Sequence, residues 1–188
     1  MINKGYLSSI ILITILIGCI FISGCTQQTP KKEGEKHEAG FYTYENPQYG
    51  ISIKYPDTWH KQEELLPNTV VVFAIESGQL KIFNGSLSIA VADVGSMSME
   101  AFKDSHIENI SLLYTDINIS YVNSTTLAGS SAYKLICTYE QGVYTIKQME
   151  TWTIKNNRLY FLAYIIYEQY YDNYIDTIEQ MINSFKII

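Results

Sequence analysis

Three histidines and three cysteines are the side chains of this sequence best suited to nucleophilic, redox or metal chemistry, and their spacing decides whether they act together. His37 sits in a polar stretch, His60 follows a tryptophan, and His106 falls on the apolar stripe of a helical segment. They share no ligand spacing, and no H-E-x-x-H, C-x-x-C, G-x-S-x-G or phosphate-loop pattern occurs. Glu63-Glu64 and Asp93 offer oxygen ligands to a hard cation, but acids in or beside loops are ordinarily just solvated. No catalytic residues, no metal residues and no cofactor are therefore expected. His106 is expected to be partly buried and satisfied by a hydrogen-bonding partner. Cys137, in AYKLICTYE, runs in phase with Tyr133, Leu135 and Tyr139, which makes it a small buried hydrophobe rather than a reactive thiol.

The second cysteine has a different setting. Tyr6 to Ile22 is an uncharged apolar run of about 25 Å as a helix, near the lower limit for crossing a bilayer. It ends in Ile22-Ser23-Gly24-Cys25, and a polar stretch follows. Small residues before a cysteine at such a border resemble the lipobox of prokaryotic lipoproteins. The resemblance implies that residues 1–24 are a signal peptide and that Cys25 becomes the lipidated N-terminus. It implies a cell-membrane location on the extracytoplasmic face, since two lipid chains anchor firmly where one does not. An uncleaved transmembrane helix over residues 6–22 is the alternative. Residues 25–40 then form a tether in which Lys31, Lys32 and Lys36 are cancelled by Glu33, Glu35 and Glu38.

The elements that would position any site begin at Phe41, and residues 41–188 make one ordinary domain. The formal charge is −6, and it becomes −7 without residues 1–24, whose only charge is Lys4. That balance argues against nucleic acid as a partner, which needs a basic face. With Cys19 lost and Cys25 lipidated, Cys137 stands alone and no intramolecular disulfide can form.

Residues 41–45 and 49–55 read as a hairpin, and residues 69–75 and 87–94 as further strands. Ser98 to Tyr114 changes period: Met99, Phe102, His106, Ile110 and Leu113 lie three or four apart on one helical face, with Ser98 as N-cap. Four strands follow, at 117–123, 131–140, 143–154 and 158–167. Turns are expected at Gln141-Gly142 and Asn156-Asn157. In the third of these strands Tyr144, Ile146, Gln148, Glu150 and Trp152 share one face, and Val143, Thr145, Lys147, Met149 and Thr151 the other. Both faces carry apolar residues, so helices are expected on both sides. The last helix spans about 168–184, with Tyr171, Tyr174, Ile175, Ile178, Met181 and Ile182 as its stripe. The fold class is α+β, built around an antiparallel sheet.

The opening FYTYENPQYGISIKYPDTW and the closing Ile182-Asn183-Ser184-Phe185-Lys186-Ile187 resemble PsbP-like domains over about 41–188. That resemblance implies an α/β/α sandwich with a central antiparallel sheet, shared by PsbP and by a eukaryotic family that binds a nuclear-transport GTPase. Plant and cyanobacterial members assist photosystem II. The lipobox resemblance implies a lipid tether where plant members have an extended N-terminal region, and no metal ligands match residue by residue. The Tyr-, Ile- and Asn-rich composition with a lipobox is similar to PsbP-related lipoproteins of methanogenic archaea. Asn84, Asn118 and Asn123 head sequons open to N-glycosylation, and a fourth, at Asn109, falls on the helix. Tyr42, Tyr44, Tyr49, Tyr167, Tyr170 and Tyr171 are a candidate protein-binding patch at one end of the sheet. The expected function is a lipid-anchored, non-catalytic binding or assembly module with a protein partner. A small-ligand or metal-ion binding lipoprotein is the alternative, and an enzyme the remote one.

Overall fold

The computed structural model describes residues 37–38, 40–65, 68–77, 82–114 and 116–188, with side chains at all of these except 37–38, 76–77 and 82–84. In chain order the strands are β1 (His37–Glu38), β2 (Phe41–Asn46), β3 (Ile51–Pro56), β4 (His60–Glu63), β5 (Thr69–Ser77) and β6 (Ile82–Asp93). Helix α1 (Met99–Leu113) separates these from β7 (Asn118–Leu127), β8 (Ser130–Gln141), β9 (Tyr144–Lys155) and β10 (Arg158–Tyr167). A 3-10 turn (Glu168–Tyr170), helix α2 (Tyr171–Ser184) and the short strand β11 (Lys186–Ile187) complete the chain.

Seven strands form a large antiparallel sheet in the order β4-β5-β6-β10-β9-β8-β7. Its tight turns follow from the residues at them. Asn156 and Asn157 both adopt positive φ, 53° and 62°, the conformation that a two-residue hairpin matching strand twist demands. Along β9 the alternation is strict: Ile146 and Trp152 join one core cluster, and Met149 joins the other. A sheet with two apolar faces must be covered twice. Helix α1 lies on one face through Phe102, His106 and Ile110. Its start is capped by Ser98, whose hydroxyl oxygen accepts from the Ala101 N–H at 3.1 Å. Helix α2 lies on the other face through Tyr171, Ile178, Met181 and Ile182, and Lys134 of β8 donates to Glu179 at 2.7 Å.

The N-terminal hairpin is not part of the large sheet. It forms a second, four-stranded sheet in the order β1-β2-β3-β11, so the sandwich has a small sheet beside α2 in one of its outer layers. The reason is width. Seven strands span about 30 Å, and one helix covers about 10 Å of that. The remainder is covered by Tyr44, Ile51, Ile53 and Tyr55, all buried, with the Tyr55 ring stacked 4.6 Å from Phe73 of β5. His37 and Glu38, expected in the tether, pair with Tyr42 and Phe41 instead.

Candidate functional site

The buried face of α1 holds the cluster of chemically capable side chains. His106 Nε2 lies 2.6 Å from Glu150 Oε2, across 44 residues of sequence. Gln148 donates to the other carboxylate oxygen of Glu150, and Tyr139 donates to Gln148 Oε1 at 3.2 Å. The register puts Cys137 opposite Gln148 on the same face. His106 is 5% exposed and Glu150 fully buried. Three rings enclose the imidazole: Phe102 stacks parallel at 5.5 Å, while Trp152 and Phe161 meet it edge-on at 5.5 and 5.4 Å.

A histidine oriented by a carboxylate is the pair from which a general base is made, but a base must reach the proton it removes. Here the ring is walled in and Nε2 is already engaged by Glu150. The pair satisfies two polar groups that face one another in an apolar core, and so pins α1 to β9. Burial pushes the Cys137 thiol well above its ordinary range, helped by the Glu150 charge, so it is held as an inert thiol. Among the described residues no three His, Cys, Asp or Glu side chains group to hold a metal ion. Glu63 accepts from Tyr44 at 3.3 Å and Asp93 from the Gly95 N–H at 2.8 Å.

At one end of the large sheet the surface is unusual. Val143 is 88% exposed, Leu112 79%, Tyr144 53% and Leu113 39%. Tyr114, the C-cap of α1, stacks on Tyr139 at 3.9 Å, and Tyr144 lies 4.8 Å from Tyr167 at the end of β10. The last turn of α1, the β8–β9 turn and the end of β10 therefore meet at one edge of the molecule.

A family model described as PsbP matches residues 39–187. The chain belongs to the PsbP family. No curated protein matches it. Among solved structures, PsbP from the cyanobacterium Synechocystis sp. PCC 6803 superposes with a TM-score of 0.63 at 15% identity, covering 89% of this chain and 99% of that one. LpqN of Mycobacterium tuberculosis, described as involved in cell envelope biogenesis, gives 0.55 at 13% identity over 72% and 82% of the two chains. The Ran-binding protein Mog1p of Saccharomyces cerevisiae gives 0.56 at 10% identity over 78% and 95%. At these identities the likeness is one of fold.

Within this PsbP domain the six tyrosines singled out from the sequence do not share a surface. Tyr44 and Tyr171 are buried, 3% and 5% exposed, and belong to the core on the α2 face. Tyr42, Tyr49 and Tyr170 are half-buried against that same core, whereas Tyr167 packs on the α1 face. The correction has a simple cause. Tyrosine suits core, core edge and surface alike, so the strand register decides its fate, and Tyr44 and Tyr171 fall on inward positions. Leu113, expected on the apolar stripe of α1, is exposed instead, because that stripe turns away from the sheet after Ile110; Leu112, Val143 and Tyr144 are exposed as well, and an apolar residue inside a hairpin turn is the visible signal for Val143. Asn118 and Asn123 are exposed on β7, the edge strand of the large sheet, while Asn109 is half-buried on α1. The Asn84 side chain, Cys25 and the apolar segment before it lie outside the described residues.

Proposed function

We propose that this PsbP-family domain is a non-catalytic binding module of a membrane or envelope complex, held on the extracytoplasmic face of the cell membrane by lipid on Cys25. The observation that carries this reading is where the reactive side chains have gone. His106, Glu150 and Cys137 are all enclosed in the α1-face core. What distinguishes the surface is aliphatic and aromatic, the chemistry of recognition. LpqN and Mog1p, which share the fold, are described by roles of this kind, in envelope biogenesis and Ran binding. The anchor rests on the sequence Ile22-Ser23-Gly24-Cys25.

The test is a native mass spectrum of the full chain extracted from its own membrane in mild detergent. A mass beginning at lipidated Cys25, with a second protein retained, is the expected result. A chain travelling alone, with a small added mass removed by mild unfolding, would replace the module with a ligand-binding protein. Residues 1–24 still attached would replace the lipid with a transmembrane helix.

A further inference from the structure

Given the binding-module reading, the geometry points to the Tyr144 end of the large sheet as the face that meets the partner, and to a protein partner whose contact is an apolar segment flanked by lysine or arginine. Three observations converge on it. Leu112, Leu113, Val143 and Tyr144 are all exposed at this one end of the large sheet. The patch has a firm base, because Tyr114 stacks on buried Tyr139 and Tyr144 on Tyr167. A face already ordered loses little side-chain freedom when it is covered.

The charge around the patch is of one sign. Glu108 sits one helical turn before Leu112, Asp116 follows the helix, Glu140 precedes the β8–β9 turn, and Glu168 follows β10; all four are exposed. Lys147 at this end lies on the opposite face of the sheet, 4.3 Å over the Tyr171 ring. A ring of carboxylates repels anionic headgroups and attracts a basic rim, so the occupant is a protein rather than the bilayer surface.

The test places a photo-crosslinking benzoylphenylalanine in the full chain, in its own membranes, at Val143 or Leu112, and at Arg158 or Thr126 on the opposite end. The expected result is a protein crosslink from Val143 and Leu112 but not from Arg158 or Thr126. The captured segment should be apolar with flanking lysine or arginine. Reversing the ring with Glu140→Lys and Glu168→Lys should weaken capture tenfold or more, at an unchanged unfolding midpoint. Lipid adducts alone from Val143 would overturn the proposal in favour of the bilayer, and an acidic or uncharged captured segment would overturn the partner chemistry. Protein capture only from Arg158 or Thr126 would sink this face but leave the module standing. Capture from none of the four would sink both.

Discussion

Removing either member of the His106–Glu150 pair should unfold α1 from the sheet far more readily than removing both. In Glu150→Leu, His106 Nε2 and Gln148 Nε2 both lose their acceptor inside a core where the carboxylate was fully buried. In His106→Phe, the ring cage around position 106 is kept, but Glu150 is left with Gln148 alone on its buried carboxylate. Breaking one side of a buried pair costs about 3–5 kcal/mol, a large share of the roughly 5–15 kcal/mol that holds a domain folded. In the double variant the facing groups are both apolar, and the remaining defect is Gln148, whose amide loses one acceptor at about 1–2 kcal/mol. The double variant should therefore be more stable than either single one, with a coupling energy of at least about 2 kcal/mol. Equilibrium urea unfolding of all four proteins, with m-values compared, measures it. Two single variants each within about 1 kcal/mol of the parent, or a double variant equal to their sum, would refute the claim that this pair pins the helix.

Alkali should unfold the domain through its phenols. Burial raises Tyr44 and Tyr171 to about 12, and raises Tyr139 and Tyr164 as well. The folded state holds these protons more tightly than the unfolded one, so their stabilisation is complete below the ordinary phenol value near 10 and is lost as pH rises from about 10 to 12. Phenolate absorbance from these residues should appear together with unfolding, and a smooth titration near 10 in a folded protein would contradict it. Gly85→Ala should destabilise by about 1–3 kcal/mol, because a Cβ there would stand 2.7 Å from the Ile166 side chain and 2.8 Å from the Ile165 carbonyl oxygen; thermal unfolding reads it. Ser98→Ala should cost about 1 kcal/mol by removing the α1 cap, visible in the urea midpoint. Cys137 should resist alkylation in the folded protein and react fully in denaturant, read by mass of the peptide that contains it.

The long hairpins were legible because their signals are local. Asn156-Asn157 specified a turn, Ser98 a cap, and the alternation from Tyr144 to Trp152 assigned Glu150 and Gln148 to one face of β9 before any contact was known. Strand β4 was not legible, because His60-Lys61-Gln62-Glu63 carries no apolar alternation and pairs only because β5 offers an open edge. The small sheet was half legible: its hairpin was plain, but its separation from the large sheet follows from the area one helix leaves bare. His106 was expected to be satisfied. Its partner, 44 residues away, could have been inferred, since a polar residue on a helix's apolar stripe and a carboxylate on a strand's inward face must be near one another to be tolerated. The sixteen tyrosines were the opaque part. Their amphipathic chemistry left inward and outward positions indistinguishable until the register was known.

Strand β3 pairs with β11, so Ser52 meets Lys186 and Ile51 meets Ile187. A chain that emerges with its N-terminus first must keep the hairpin of β2 and β3 without its third strand, and without α2 beneath it, until residues 171–187 are available. The small sheet thus closes on β11, far along the chain from β3, and such long-range pairing is the slow part of folding. A chain cut just before Lys186 would lose little buried apolar surface, yet should unfold faster because nothing fastens the small sheet at its end.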